Sequence, residues 1–589
     1  MKSFNDFNNA QVRQLPEHLK KYIVDQEYEH YTFADHALWR YVMRQNYSYL
    51  REAAYYPYIP GLKKAGLTIE KIPSLQEIND ALAIIGWGAV TVDGFIPPAA
   101  FMEYQAWRVL VIAADIRTLE HIEYTPAPDI IHESAGHAPI ISDVHYNRFL
   151  SHLGAVGTKA MFSKQDHELY EAIRQLSIIK ETPGASQSEI QLAEDLLRHR
   201  QTYMGEPSEM ALLSRLQWWT VEYGLIGHLD APKIYGAGLL SSIGESVSCM
   251  RPEVKKIPYT IDAINYAYDI TKPQPQLFVT PTFENLLDVL QEFEATMAFK
   301  KGGTEGVRKA VASEQICTVV LNTGLQITGK FNAFRSDPEF GLSWISAIGP
   351  SALCRNEKVL KHSGPDDLPN GCLTIIGKLA HTRKAIDELS PAALNELGIR
   401  INELVNIQFE NGILVSGRIL SMNFHHEKLE QLLFHEATVQ TKEGRVLHET
   451  EDGDLRLIVG SGVKSVFCGS ADKQLFDDGL HLSGQKTRRI EYSSDHKQYH
   501  QIFGSIRALR EGQSNAILLE SLLNQIELKH PDDWLATLEI AELAESAVNT
   551  EKIYQRARKI LESKKISHPQ FSKLISDGLS IMDRKMKFE

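Results

Sequence analysis

From residue 30 to 300, apolar residues recur at helical spacing, as in FADHALWRYVMRQNYSYL (33–50) and FMEYQAWRVLVIAADIRTLEHI (101–122). Pro- and Gly-bearing loops such as GFIPP (94–98) and YTPAPD (124–129) separate these stretches. The pattern predicts a mainly α first unit over residues 1–305, with a helical insertion at 157–205 folded about ETPGAS (181–186). Around 297–312 the text turns to AFKKGGTEGVRKAVAS, which reads as a linker. Alternating segments follow and predict a β-rich domain over 313–480. Within it, VVLNTGLQITGKF (319–331) and IQFENGILVSGRIL (407–420) each carry an Asn/Gly turn signal, and in both a second glycine follows the turn glycine after five residues, which suggests two hairpins and a duplicated β unit. Beyond residue 500, WLATLEIAELAES and TEKIYQRARKILESKK return to helical spacing and predict a helical C-terminal segment, 500–589, suited to self-association.

A chain of 589 residues exceeds what one core usually organises, in keeping with several domains. A formal net charge of −13 argues against a nucleic-acid ligand, which asks for a clustered basic face. No apolar run is long enough to span a bilayer, and the opening MKSFNDFNNAQVRQLPEH lacks the apolar core of a signal peptide. Five scattered cysteines without a CxxC pair indicate neither a disulfide framework nor a cysteine zinc site. A cytoplasmic protein is expected.

The chemistry-bearing segment is PDIIHESAGHAP (128–139), where His132 and His137 stand five apart with Glu133 beside the first. A zinc peptidase would place its histidines at i and i+4. On a straight α-helix a spacing of five leaves the two rings about 140° apart, so both reach one metal only where the helix is interrupted, and Gly136 permits an interruption. Two imidazoles and one carboxylate make the facial set that leaves positions open for dioxygen on iron(II). Glu222, alone in the apolar and aromatic LQWWTVEYGLIG (216–227), is the candidate third ligand, since a lone carboxylate there needs a cation or hydrogen bonds to offset its burial.

Residues 30–300 resemble the catalytic domain of the aromatic amino acid hydroxylases, and within that family its phenylalanine-hydroxylating members. The resemblance lies in DIRTLEHIEYTPAPDIIHESAGHAPIISD (115–143), WWTVEYGLIG (218–227) and KIYGAGLLSSIGE (233–245), which occur in the family's order. It implies an Fe(2+) enzyme that uses a tetrahydropterin and O2 to hydroxylate the ring of an aromatic amino acid, phenylalanine first and tyrosine or tryptophan as alternatives. It further implies that His132, His137 and Glu222 bind the metal and that Arg117 clamps the substrate carboxylate. Tyr124, Thr125, Pro128, Trp218, Gly238 and Ser241 would complete the substrate site, with Trp218 against the ring, and Phe101 and Glu133 would meet the pterin. Gln217 stands where the better-known members carry a tyrosine beside the metal, a difference that bears on how pterin and iron couple. The competing readings are a zinc hydrolase built on HExxxH, which the histidine spacing disfavours, and a degenerate first domain serving a scaffold.

Overall fold

A capping box opens the longest helix of the first unit: the Asp35 amide donates to the Thr32 hydroxyl and the Thr32 amide donates to the Asp35 carboxylate, so α1 (Phe33–Ala53) starts with its first N–H groups satisfied. Its inner face, including Trp39, Val42, Met43 and Leu50, is buried. The structure, a computed structural model, describes residues 8–93, 96–123, 128–181, 186–202, 205–270, 272–476, 493–513 and 516–584.

The first unit is less purely helical than expected. Besides α2 (Pro98–Ala106) it holds two small sheets. β1 (Ile23–Val24), β2 (Gly88–Val92) and β3 (Val109–Ala113) lie in that order. β4 (Leu225–His228), β5 (Ala231–Ile234), β6 (Lys255–Pro258) and β7 (Gln276–Thr280) form a sheet ordered β5-β4-β7-β6. β2 and β3 are buried at every position, and such short, unbroken apolar runs carry no alternation to set them apart from a buried helix. The expected insertion is a helical hairpin, α3 (Lys164–Glu181) and α4 (Gln187–Thr202), closed by its own small cluster of Ala172, Leu176, Ala193 and Leu197. α5 (Ala237–Ser241) is short and buried, and lies against the segment bearing the histidines.

The stretch read as a linker is helical. A turn at Ala298–Lys301 leads through Gly302 and Gly303, both at positive φ, into α6 (Gly303–Ser313), whose Val307 and Ala310 bury against the following sheet. Gly302 and Gly303 serve at the junction, Gly306 lets α6 pack closely on Val466, and the apolar spacing after them is that of a helix.

The β-rich region is one sheet of β8 (Ile316–Leu321), β9 (Gln326–Asp337), β10 (Gly341–Arg355), β11 (Lys358–Val359), β12 (Gly371–Ile376), β13 (Leu404–Gln408), β14 (Leu414–His425), β15 (Lys428–Gln440), β16 (Val446–His448), β17 (Leu455–Gly460) and β18 (Val463–Cys468). The path runs β13-β14-β15-β17-β12-β10-β9-β8-β18, with β11 beside β10 and β16 beside β15. Both expected hairpins are present, and their turns match in detail: Gly324 (φ 86°) and Gly412 (φ 83°) sit at the same place, and Leu321 N–Leu325 O repeats as Phe409 N–Ile413 O, each 2.9 Å. β12 and β17 pair in parallel, Leu373 beside Leu457, so two similar halves, β8–β12 and β13–β17, join along equivalent strands, with β18 added beside β8. No disulfide joins the five cysteines.

After residue 493 come α7 (Ser494–Arg510), α8 (Leu518–Lys529), α9 (Leu535–Ser546), α10 (Glu551–Ser567) and α11 (Ser572–Asp583). They share one hydrophobic core with the first unit rather than forming a separate one. The seam runs along α1. Arg40 Nη1 bonds Glu539 at 2.7 Å and Glu542 at 2.6 Å, Arg44 pairs with Glu542, and Arg510 reaches Glu539 at 2.6 Å. Beside them the Tyr41 hydroxyl donates to Leu574 O. Among the described residues no helix is long and apolar enough to cross a membrane.

Candidate metal centre

The spacing of five between the histidines is resolved by helix type. Residues Ile131–His137 form a π-helix, whose i→i+5 bonding widens the turn until positions five apart share a face. No break is needed. Gly136 has another role: a Cβ there would lie 2.7 Å from Ala237 O, so glycine lets α5 press against the turn. Glu222 ends a second π-turn, Trp218–Glu222, and brings its carboxylate to the same point.

His132 Nε2 lies 3.2 Å from His137 Nε2 and 3.2 Å from Glu222 Oε2, and His137 Nε2 lies 3.5 Å from Glu222 Oε1. Cis ligands at bonds of about 2.1 Å stand about 3.0 Å apart on an octahedral face, so the three atoms fit one cation with little adjustment. They are the one such group among the described residues. Two imidazole nitrogens facing each other cannot both present lone pairs unless a positive charge lies between them.

The neighbours of His132 select its tautomer. The Ser241 hydroxyl donates to Ala237 O at 2.8 Å, so toward His132 Nδ1, 3.0 Å away, it accepts. Nδ1 then carries the proton, and the Nε2 lone pair is turned to the shared point. Electrostatics agree with a site built for positive charge. Burial opposes the charged form of His132, yet Glu222 beside it lifts the imidazole to about 9. His137, deeper and next to His132, is held down to about 4 by burial. Burial would raise Glu222, but the two histidines bring its carboxyl below the usual range.

Glu133 is turned inward, its Oε2 buried 3.7 Å from His137 Nε2 with no hydrogen-bond partner among the described residues. Burial pushes its carboxyl up to about 8. Arg117 is buried and occupied: Nε and Nη2 donate to the two oxygens of Asp129, each at 2.8 Å, while Nη1 lies 3.4 Å from Ile122 O and from Ser241 O. Asp129 also accepts from the His132 amide at 3.0 Å. This carboxylate, unremarked in the sequence, ties the arginine to the histidine turn, and the only signal for it was its place between them.

Trp218 is stacked on Tyr268 (4.4 Å, 11°) and on Tyr223 (4.7 Å, 26°), whose hydroxyl donates to Glu245. These partners were not foreseen either. Gly238 faces Glu222 O and the Tyr223 ring, Ser241 stands between Arg117 and His132, and Pro128 is exposed beside Asp129. Phe101, half-buried on α2, packs on the cluster of Val12, Leu15, Tyr22 and Val90. Tyr124, Thr125 and the loop residues 94–95 lie outside the described residues.

A sequence model of the biopterin-dependent aromatic amino acid hydroxylases matches residues 11–170 and 203–302, leaving out much of the α3–α4 hairpin and everything after 302. The phenylalanine-4-hydroxylase of Pseudomonas aeruginosa is 29% identical over 270 residues, which cover 46% of this chain and 86% of that protein. That of Mesorhizobium japonicum is 27% identical over 286 residues, or 48% and 87%. A crystal structure of Chromobacterium violaceum phenylalanine hydroxylase with oxidised Fe(III) bound superposes with a TM-score of 0.37 at 24% identity, covering 48% of this chain and 91% of that one. Residues 11–170 and 203–302 of this chain are thus similar to the biopterin-dependent aromatic amino acid hydroxylases, and beyond residue 302 the chain carries an extension that the family model does not match.

Proposed function

We propose that this protein hydroxylates the ring of a free aromatic amino acid, L-phenylalanine to L-tyrosine, with iron(II), a tetrahydropterin and O2. The observation that carries the reading is the convergence of His132, His137 and Glu222 from two π-turns, in a chain whose first unit matches the model of this family. A neutral two-nitrogen, one-carboxylate donor set suits iron(II) and leaves coordination positions open. Bound there, iron(II) and the pterin would supply the electrons that reduce O2, which is the source of the oxygen atom that enters the ring.

The chain's own residues bind, orient and exclude water. Arg117, oriented by Asp129, would exchange the long Nη1 contacts to Ile122 O and Ser241 O for the substrate carboxylate. Trp218, stiffened by Tyr223 and Tyr268, presents an edge to the substrate ring, with Pro128, Gly238 and Ser241 around it. Glu133, protonated or hydrogen-bonded, meets the polar edge of the pterin, and Phe101 meets its face. In this reading residues 1–305 are the catalytic unit, 313–480 a β-rich domain and 500–589 a helical segment open to self-association.

The test is product analysis of the iron-loaded chain with phenylalanine, tyrosine or tryptophan, a tetrahydropterin and oxygen. Tyrosine from phenylalanine, lost in His132→Ala, is expected. Hydroxylated product from tyrosine or tryptophan alone would reassign the substrate, and no product from any of the three with iron bound would refute the function. Hydrolytic activity with zinc and without oxygen would favour the zinc reading.

A further inference from the structure

We propose that Asn46 is a positioning residue for the metal centre and that it acts by fixing α5, an inference that rests on reading His132, His137 and Glu222 as a metal site. α5 braces both ligand-bearing turns. Its Ala237 carbonyl lies where a Cβ on Gly136 would clash, at 2.7 Å, and a Cβ on Gly236, just before it, would lie 2.5 Å from Glu222 O. At its other end Ser241 fixes the His132 tautomer through Oγ and touches Arg117 through its carbonyl. Displacement of this helix would therefore move both sets of ligands.

A helix of five residues has too few internal bonds to hold its own place. The carbonyls of its last turn look for partners outside it. For Leu240 O the partner is Asn46 Nδ2 of α1, at 3.0 Å. Asn46 is 1% exposed, and its Oδ1 is buried with no hydrogen-bond partner among the described residues.

A half-satisfied amide in an apolar interior costs stability, and asparagine is a poor residue for the middle of a helix. What this side chain supplies in return is the bond to α5. The opposite flank of α1 is clamped by α9 and α11 through Arg40, Arg44 and Tyr41. The C-terminal helices thus steady the helix that steadies α5, which gives that extension a role at the metal centre.

The experiment is Co(II) titration of the full-length chain, read by its d–d absorption bands, on wild type, Asn46→Leu and, as a smaller replacement in case the first fails to fold, Asn46→Ser. A control is Asn79→Leu, another buried asparagine, bonded to the Ala89 backbone in a different part of the unit. Partners one shell from a metal ligand typically change affinity by tenfold or more, so one step further out a loss of about fivefold, with altered band position or intensity, is expected for both Asn46 variants and not for the control. Co(II) affinity within twofold of wild type and unchanged bands in a folded Asn46 variant would overturn the proposal. So would the same spectral change in Asn79→Leu, which would make it a general effect of destabilisation. Wild type that takes up no Co(II) at a histidine–carboxylate site would instead bring down the metal reading on which the proposal rests.

Discussion

Replacing Glu539 by glutamine should loosen the C-terminal helices from the first unit without touching the β sheet. Glu539 is 5% exposed and faces Arg40, Arg44 and Arg510, and although burial alone would raise its carboxyl, the three guanidinium groups bring it down to about 2 from an ordinary 4.5. Each pKa unit corresponds to about 1.4 kcal/mol, so the ionised form contributes about 3 kcal/mol. Breaking one partner out of a buried ion pair costs a similar amount, about 3–5 kcal/mol. Because the folded value is depressed, this contribution is complete above pH 4.5 and is lost as pH falls toward 2. A chain of several units need not unfold in one step, so the assay is local: amide hydrogen exchange of α9 and α1 followed by mass spectrometry. At pH 7 about 3 kcal/mol corresponds to exchange on the order of 100-fold faster in Glu539→Gln, confined to that seam, with β8–β18 unchanged. Repeated at falling pH, the gap between variant and wild type should narrow below 4.5. A change under about threefold at pH 7, or a gap that does not narrow, would refute the reasoning.

Two further outcomes follow from the site. Gly136→Ala sets a methyl against Ala237 O at 2.7 Å, a backbone atom that cannot swing aside; overpacking of this kind costs about 1–3 kcal/mol, and iron affinity measured by competitive chelation should fall with it, whereas wild-type affinity would show that α5 does not press on the turn. Arg117→Lys loses the paired bonds to Asp129 and, on the proposed reading, the planar group that meets the substrate carboxylate; KM for the amino acid should rise about tenfold or more with kcat less affected, and an unchanged KM would remove Arg117 from the substrate site.

The three residues of the candidate metal site could be read from the sequence because their chemistry is severe: His132, His137 and Glu222 sit in apolar text where polar groups are hard to place without a shared purpose. The geometry that unites them could not. A π-turn depends on one extra residue in the bonding register, and nothing in IHESAGH marks it except the awkward spacing that it resolves. Asp129 escaped for a related reason, since an acid before a helix reads as an ordinary cap until its arginine partner, twelve residues earlier in sequence, is seen against it. In the second half the glycines of the two turns announced the hairpins, because a left-handed backbone position asks for glycine. The seam on α1 was out of reach: Arg40 and Glu539 are 499 residues apart, and no local pattern joins them.

The joined halves of the β-rich region have a consequence for solubility. Taken singly, the half ending in β12 and the half ending in β17 would each present an unpaired strand of buried side chains, a ready template for pairing with another molecule. Laid side by side they cover one another's open edge, and β18 returns to cover β8. Two margins of the path are left: β13, only five residues long and partly capped where Ala380 N donates to Gln408 O, and β18, six residues long, against which the Ala298–Lys301 turn and α6 pack. Expressed alone, either half should aggregate, so the pairing of the two is what allows this much sheet to exist in water as a single chain.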